Sequence, residues 1–460
     1  MTTTGTTNPG LTSGPARIIG WWREMDAAAR RDFAGRGLDK IFDPQLAESI
    51  AGLVRDVRDQ GDAAVVRALQ EFDGCTVTPE QLRVSDAEYD DARTSLSPAL
   101  VEAIRDSIAH VRAFNEEVCS RADWSFESEP GLVVGEKYNP IASVGLFVPS
   151  GKGSFPSVLV QIGTPAVVAG VPEIAVVVPP IPGSQGDVDP AVLVVADELG
   201  LRGKVYRANG PTGVAALAFG TETFPKVLKI VGPGSPAVTN AQIEVQRYGT
   251  LSNMLLGPSE SLILADDSAD PRILAADLLN EAEHGPDSSS ILVTDSTTLV
   301  EATQAEMDSQ LGDLPEPRAQ YARLALGTNG GVVLVDNLAE GIEVANEYAP
   351  EHMQVVVKDE DTAVAGLRNA AEILLGQWTP ISAANFIIGC PAALPTSGFG
   401  KVNSGITAET FRKRTAVAKA DERALRRMSG SILAFCDHEG FPAHGAAVRR
   451  RLGLPIAARD

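Results

Sequence analysis

Cysteine is scarce in this chain of 460 residues, which contains only Cys75, Cys119, Cys390 and Cys436. No two of them have C-x-x-C spacing, so the sequence lacks both the pattern of a zinc ribbon and the dense cysteines of a disulfide-stapled domain. A chain with no disulfide framework fits a reducing compartment, and we expect a cytoplasmic protein.

Basic residues are also in deficit, because 39 Lys and Arg residues stand against 60 Asp and Glu residues, for a formal net charge of −21. A protein that binds nucleic acid needs a basic surface to displace counterions from phosphates. Long apolar runs are missing too. The longest stretch, from Val158 to Val178, is interrupted by glycine and proline, whereas a membrane span needs about 18 or more apolar residues. We therefore expect neither nucleic acid nor a membrane as a partner.

The beginning of the chain differs from the rest. Residues 1–14 contain no apolar core and no basic cluster, so we expect a disordered leader rather than a signal peptide. From about 15 to 138, apolar positions recur at helical spacing, and Asp43 followed by Pro44 predicts a helix start. A second helix is predicted from about Pro98 to Asn115. We expect 15–138 to be a helical segment that packs on the first of at least two domains.

After Asn139 the pattern changes to short apolar runs that alternate with helical segments. One series runs from ASVGLFV through EIAVVVPP and KVYRA to KIVGPG, and a second from SLILADD through SSSILVTD to GGVVLVDN. This alternation predicts βαβ units with parallel sheets. We therefore predict an α/β fold with domains at 139–255 and 256–390 and a helical tail at 391–460, in which the chain is helical from Gly405 onwards.

Two pairs of titratable residues stand out because the chain has only five histidines. Glu281 and His284 are three residues apart at the end of a predicted helix, so they share a face and could present an oxygen and a nitrogen ligand together. A solvated helix end explains that spacing about as well. Glu351 and His352 adjoin each other directly before a strand, which suits proton abstraction with a second base for water. Chance adjacency in a loop is the alternative.

Seven segments connect these residues to a known family. They occur in the order GLFVPSGKGSFPS, GTETFPKVLKIVGPGS, LLGPSES, LLNEAEHGPDSSS, NEYAPEH, ALPTSG and EGFPAH. Together they resemble the histidinol dehydrogenase family from roughly Ile141 to Leu452, with weaker similarity upstream. The resemblance implies a homodimer with two incomplete dinucleotide-binding, Rossmann-like domains. It also implies the oxidation of an amino alcohol through an aldehyde to the carboxylate in two NAD-dependent steps.

The resemblance also implies roles for single residues. His352 would take the hydroxyl proton during hydride transfer, and Glu351 would activate the water that adds to the aldehyde. Ser259 and Glu439 match substrate positions of the family. The histidine that precedes the LPT segment in the family is Ala392 here, which removes a polar contact that an imidazole-bearing substrate would use.

The positions that face the cofactor in the family have changed. Phe147 stands in place of Tyr, Thr212 in place of Gln, and Ser235 in place of Asn. The turn Gly232-Pro233-Gly234 after the strand KIV is a place where the backbone could approach a ligand, since ligands gather at the carboxyl ends of strands in open α/β sheets. We expect NAD as the cofactor, and the preference for NAD over NADP stays open.

The zinc ligands of the family are a Gln, a His, an Asp and a second His, and the matching residues here are Glu281, His284, Asn385 and His444. The two replacements keep the summed charge but move the carboxylate. A carboxylate oxygen is a good zinc ligand and an amide oxygen is a poor one. Either zinc is retained, or Glu281 binds a cationic part of the substrate directly. The same four residues and His352 are predicted substrate contacts.

Three functions therefore compete. The first is an NAD-dependent dehydrogenase for a small polar primary alcohol other than L-histidinol, which Glu351 and His352 support and the changed pocket explains. The second is a true L-histidinol dehydrogenase of histidine biosynthesis, against which Ala392 and Asn385 argue. The third is a non-catalytic binding protein on the same fold, which gives no reason to keep the Glu–His pair.

Overall fold

The computed structural model describes residues 14–36, 42–150, 153–253 and 257–455. The predicted leader lies outside these ranges except for Gly14. The chain divides into two compact units. The first contains Met1–Val118 and Ile141–Phe411, and the second contains Cys119–Pro140 and Arg412–Asp460. In the described ranges we find no helix with the length and apolar character that crossing a membrane requires.

The strands of the described residues are numbered in chain order. They are Ile18–Trp21 (β1), Trp124–Glu129 (β2), Leu132–Pro140 (β3), Ser143–Phe147 (β4), Glu173–Val178 (β5), Val205–Arg207 (β6), Lys229–Val231 (β7), Leu251–Ser252 (β8), Glu260–Ala265 (β9), Ser289–Thr294 (β10), Gly331–Leu334 (β11), His352–Val356 (β12), Glu372–Leu375 (β13) and Arg412–Ala420 (β14).

The longer helices divide between the two units in the same way. Those of the first unit are Ala27–Ala34, Pro44–Gln60, Asp62–Phe72, Asp86–Ser95, Pro98–Val118, Pro156–Val168, Pro190–Glu198, Gly210–Phe219, Pro236–Gln246, Pro271–Ala282, Thr297–Gln310, Arg318–Leu324, Leu338–Tyr348 and Glu360–Gly366. Those of the second unit are Glu422–Glu439 and Pro442–Leu452.

The first parallel sheet of the first unit has the strand order β6-β5-β4-β7-β8. The chain starts at the centre with β4, adds β5 and β6 on one side, and then adds β7 and β8 on the other. The order reverses between β4 and β7, as in one half of a dinucleotide-binding fold. Alternate residues of β5 enter opposite cores, with Val176 and Val178 on one face and Ala175 and Val177 on the other.

The second parallel sheet repeats this construction with the order β1-β11-β10-β9-β12-β13. It starts at β9, and its order reverses between β9 and β12. Strand β1 is an addition that pairs with β11, so the N-terminal segment supplies an edge strand where we expected helix. The two sheets confirm the predicted α/β fold with two incomplete dinucleotide-binding-type sheets.

The prediction of helix across 15–138 and from Gly405 onwards is wrong in the second unit. Strands β2, β3 and β14 form an antiparallel sheet there, and β14 pairs with β3 over nine residues, from Arg412 opposite Pro140 to Ala420 opposite Leu132. The run RKRTAVAKA is rich in helix-forming residues, but cross-strand pairing overrides local propensity. The helical prediction is confirmed only after this strand, where Asp421 caps the helix Glu422–Glu439.

The predicted helix start at Asp43 and Pro44 is confirmed. The carboxylate of Asp43 accepts a hydrogen bond from the backbone N–H of Leu46 at 2.8 Å, which satisfies a free donor of the first turn. The helical run that follows is interrupted at Gly61, whose φ of 56° lies in the left-handed region that favours glycine. The helix predicted from Pro98 is also present and extends to Val118.

Candidate active site

A cleft of about 500 Å³ in the first unit is lined from both parallel sheets. The first sheet contributes the segments that follow β4 and β7, including Ser150 and Ser235. The second sheet contributes the segments that precede β9 and β12, including Ser259 and Glu351. The cleft thus joins the carboxyl ends of one sheet to the amino ends of the other, both at the points where the strand order reverses. The carboxyl-end rule applies only to the first sheet.

The turn after β7 explains how the first sheet opens onto the cleft. Gly232 has a φ of 147°, and a Cβ atom there would collide with the backbone oxygen of Phe147. Only glycine lets the ends of β4 and β7 approach so closely. The turn continues along the cleft wall through Pro233 and Gly234 to Ser235, which precedes the helix Pro236–Gln246.

Glu351 and His352 lie together on the opposite wall. The helix Leu338–Tyr348 ends at Ala349, whose φ of 52° turns the chain into β12. The strand starts at His352 itself, one residue earlier than expected. Both side chains are largely buried, with 9% of Glu351 and 3% of His352 exposed, yet both line the cleft. The adjacency seen in the sequence therefore belongs to one buried site.

The surroundings of Glu351 make its carboxylate a stronger base. Its Oε2 accepts a hydrogen bond from the backbone N–H of Glu260 at 3.0 Å. Burial raises the pKa of Glu351 well above its ordinary value, His352 offsets part of this shift, and the neighbouring carboxylates Glu281 and Glu260 raise the pKa further. A carboxylate whose pKa is raised in this way is suited to taking a proton from water near neutral pH.

A buried ion pair stabilises the strand end behind Glu351. The guanidinium of Arg36 forms two hydrogen bonds to the carboxylate of Glu260, at 2.6 and 2.7 Å. It also stacks 3.3 Å from the ring centre of Tyr348. The backbone N–H of Ser397 donates to Glu260 at 2.8 Å. Arg36 therefore compensates one of the negative charges gathered around Glu351.

His352 is fixed from behind by a residue of the neighbouring strand. Its Nδ1 lies 2.7 Å from Oε2 of Glu372, which leaves Nε2 for a ligand in the cleft. Burial alone lowers the pKa of His352, but the hydrogen bond to Glu372 and the charges of Glu351 and Glu281 outweigh it and raise the pKa to about 9. The imidazole is thus a base of more than ordinary strength.

Glu281, His284 and Asn385 all line the cleft. Glu281 is buried, and within the described part of the chain neither of its carboxylate oxygens has a hydrogen-bond partner. The nearest nitrogen of His284, Nδ1, lies 3.8 Å from Oε1 of Glu281 and 3.2 Å from the backbone oxygen of Asn280. A buried carboxylate without donors is costly unless a cation accompanies it, so these residues fit either a metal ion or a cationic substrate group.

The described residues contain no group of three His, Cys, Asp or Glu side chains that could hold a metal ion. The two remaining residues of the predicted set lie in the second unit. Glu439 ends the helix Glu422–Glu439 and His444 lies in Pro442–Leu452, where both line a separate cavity of about 470 Å³. The first unit therefore brings together three of the four predicted metal ligands.

The predicted cofactor residues have different surroundings. Ser235 lines the cleft, whereas Phe147 and Thr212 are buried and are not part of its lining. The ring of Phe147 packs in the core of the first sheet, and the hydroxyl of Thr212 donates to the backbone oxygen of Asn209 at 3.3 Å. Ala392 does line the cleft, beside the carboxamide of Gln161.

Two polar residues of the site were missed by sequence reasoning. Gln161 is buried within the apolar helix Pro156–Val168, and its Oε1 accepts the backbone N–H of Ala392 at 3.2 Å. Glu372 opens the apolar strand EILL. Both carried the same signal, a single polar side chain in a stretch that is otherwise buried, and such a side chain needs a partner.

Two half-folds of the dinucleotide-binding type and a buried glutamate–histidine pair in their shared cleft form the framework of an α/β oxidoreductase. The profile of the family described as Histidinol dehydrogenase matches residues 39–452. The chain belongs to the histidinol dehydrogenase family. Enzymes of this family oxidise an alcohol through an aldehyde to the acid, and they use NAD and zinc.

Similar proteins occur in several bacteria. The chain is 41% identical over 404 residues to histidinol dehydrogenase homolog 2 of Mesorhizobium japonicum, covering 88% of this chain and 91% of that protein. It is 38% identical over 412 residues to histidinol dehydrogenase of Synechocystis sp., covering 87% and 92%. The crystal structure of histidinol dehydrogenase from Elizabethkingia anophelis superposes with a TM-score of 0.90 at 28% identity, covering 96% of this chain and 99% of that one.

Proposed function

We propose that this protein is an NAD-dependent dehydrogenase that oxidises a small polar primary alcohol other than L-histidinol, through the aldehyde, to the carboxylate. The observation that carries the proposal is the buried pair of Glu351 and His352 on the wall of the cleft, with Nδ1 of His352 bound by a carboxylate. A non-catalytic binding protein would have no use for two buried bases whose pKa values are raised.

In the first step the hydroxyl proton of the alcohol passes to Nε2 of His352 as the carbinol hydrogen leaves as a hydride, which yields the aldehyde. In the second step Glu351 takes a proton from water as its oxygen bonds to the aldehyde carbon, and the resulting hydrate loses a second hydride to give the carboxylate. Bound NAD supplies the hydride acceptor, and zinc supplies a Lewis acid. The protein orients the substrate and moves the protons.

The lining of the cleft supports a substrate without an imidazole. Ala392 offers only a methyl group, and Phe155, Phe386 and Leu394 form an apolar wall near it. A site that lacks a polar partner for a substrate ring leaves the nitrogen atoms of that ring unpaired on binding. Ser259 is proposed to bind a polar group of the substrate from the opposite wall.

L-histidinol is expected to be a poor substrate, with kcat/KM below about 10⁴ M⁻¹s⁻¹, the lower end of the usual enzyme range. Replacing Ala392 by His is expected to raise kcat/KM for L-histidinol roughly 10-fold, the worth of one added hydrogen bond of about 1.4 kcal/mol. Steady-state kinetics of both proteins test this. An unchanged Ala392→His variant, or efficient turnover of L-histidinol by the parent, favours the alternative of a true L-histidinol dehydrogenase.

For the metal we propose that zinc is held by Glu281 and His284, with His444 as a third ligand and Asn385 as a ligand or a substrate contact. The bare carboxylate oxygens of Glu281 in the cleft support the first two assignments. The assignments of His444 and of Glu439, a proposed substrate contact, rest on the EGFPAH segment. Three protein ligands are the usual number at a catalytic zinc.

Elemental analysis of protein purified without chelator is expected to find about one zinc per chain, the usual stoichiometry of such a site. Replacing His284 by Ala is expected to remove both the zinc and the activity, because it removes a nitrogen ligand beside Glu281. The matched control is His110→Ala, an exposed histidine on the helix Pro98–Val118. Metal-free protein with full activity in a strong chelator would contradict the assignment and leave Glu281 as a contact for a cationic substrate.

The remaining assignments concern cofactor and assembly. We propose that Ser235 contacts NAD, since it stands on the cleft wall at the carboxyl end of β7, and that Phe147 and Thr212 shape that wall from behind. We also propose a cytoplasmic homodimer in which residues 391–460 contribute to the dimer contact. The family is typically dimeric.

A further inference from the structure

Strand pairing places Glu372 beside His352. Strands β12 and β13 are parallel, and His352 and Glu372, the first residues of each, are paired in register. The carboxylate and the imidazole are therefore neighbours at the amino edge of the sheet, 2.7 Å apart between Oε2 and Nδ1. Both side chains are about 95% buried, so water does not compete for this hydrogen bond.

The second carboxylate oxygen of Glu372 is also bound. The thiol of Cys390 donates a hydrogen bond to Oε1 at 2.9 Å. Burial raises the pKa of Cys390 to about 12, with a further contribution from Glu372, so the sulfur carries its proton at neutral pH and acts as a donor. The preceding Gly389 has a φ of 95°, and a Cβ there would collide with the backbone oxygen of His110, so the loop that carries the thiol is held in place.

We infer that Glu372 is a positioning residue for His352 and that Cys390 sets the direction of its carboxylate. The inference rests on the proposed function, in which His352 is the base. By accepting the Nδ1 proton, Glu372 fixes the tautomer whose Nε2 lone pair faces the cleft. When Nε2 takes the hydroxyl proton, the Nδ1 proton stays on the ring, and Glu372 stabilises the imidazolium without being protonated.

The other charged groups near His352 do not duplicate this role. Glu351 and Glu281 act on the ring through their charge, whereas Glu372 accepts its hydrogen bond. Those two carboxylates stabilise the imidazolium but leave the choice of tautomer open. Only a group bonded to Nδ1 decides which nitrogen is free to accept a proton.

Replacing Glu372 by Gln tests the inference with a side chain of the same shape. The thiol of Cys390 donates, so the amide oxygen is expected to turn towards Cys390 and the amide N–H₂ towards Nδ1 of His352. This arrangement stabilises the wrong tautomer, with the proton on Nε2. We expect kcat for alcohol oxidation to fall about 10- to 100-fold, as for other residues that orient a reacting group, with KM changed by less than about threefold.

A double variant separates this effect from a loss of packing. In Glu372→Gln/Cys390→Ala the thiol donor is gone, so the amide can turn its oxygen towards Nδ1 and restore the productive tautomer. We expect the double variant to be faster than Glu372→Gln alone, although it removes one more contact. A merely structural role predicts the opposite order. The matched control is Glu301→Gln, an exposed glutamate on the helix Thr297–Gln310, which is expected to keep the parent rate.

A spectroscopic measurement makes the test independent of activity. In the whole protein with nitrogen-labelled histidine, a strongly downfield Nδ1–H proton is expected for His352, and it should disappear in Glu372→Gln. If that proton is absent in the parent, or if Glu372→Gln keeps the parent rate while His352→Ala does not, the positioning role is overturned and the proposed function stands. If His352→Ala itself keeps the parent rate, the proposed function fails and the positioning role fails with it.

Discussion

Replacing His352 by Ala is expected to slow alcohol oxidation by roughly 100-fold or more, the usual contribution of a general base. The imidazole is the group on the cleft wall whose Nε2 is left to accept the hydroxyl proton. Because the pKa of His352 is raised to about 9, the unprotonated base becomes more abundant as the pH rises towards that value. The parent kcat/KM for the alcohol should therefore increase up to about pH 9, and the Ala variant should lack this increase.

Stopped-flow or steady-state formation of NADH as a function of pH makes this measurement. The variant His110→Ala provides the control, because it removes an exposed histidine whose ring contacts only its own helix. A parent rate in His352→Ala, or the same pH profile in both proteins, would show that His352 does not take the proton.

Replacing Glu351 by Gln is expected to affect the second step instead. The amide keeps the shape of the side chain and can still accept the backbone N–H of Glu260, so the site should keep its structure. An amide cannot take a proton from water, and aldehyde conversion is expected to slow by roughly 100-fold. Alcohol oxidation should change far less, because His352 performs that step.

The stoichiometry of NADH distinguishes the two steps. The parent is expected to form two molecules of NADH for each alcohol, and Glu351→Gln only one, with the aldehyde recovered by a trapping amine. The exposed residue Glu301 again gives the matched control, as Glu301→Gln. Equal loss of both steps would mean that Glu351 and His352 do not divide the chemistry as proposed.

The parallel sheets could be predicted because their strands are buried on both faces. Runs such as EIAVVV and SLILA are apolar without alternation, and the helices between them have the length of a crossover. Local signals were also sufficient where one side chain decides the structure, as at Asp43, which caps its helix. In these segments local preference and tertiary packing agree.

The antiparallel sheet of the second unit could not be predicted for the opposite reason. Nearly all of β14 and all of β2 are exposed, so no buried face imposes an alternating pattern. Strand β14 exists because β3 offers it backbone partners, and β3 lies more than 270 residues earlier in the chain. A pairing over such a distance leaves no mark in either segment.

The candidate site was predictable to the extent that its residues are neighbours in the sequence. Glu351 and His352 adjoin each other, and Glu281 and His284 share one turn of helix, so spacing alone brought each pair together. The contacts between His352, Glu372 and Cys390 join a strand start, the next strand and a loop. They depend on the register of β12 and β13, which the sequence does not reveal.

A panel of small primary alcohols, assayed for NADH formation with NAD and with or without added zinc or chelator, tests the central claim most directly. The account predicts that at least one polar alcohol without an imidazole is oxidised with kcat/KM of about 10⁴ M⁻¹s⁻¹ or more. It also predicts two molecules of NADH for each alcohol, and a far lower kcat/KM for L-histidinol. Efficient oxidation of L-histidinol alone, or no NADH from any alcohol, would contradict it.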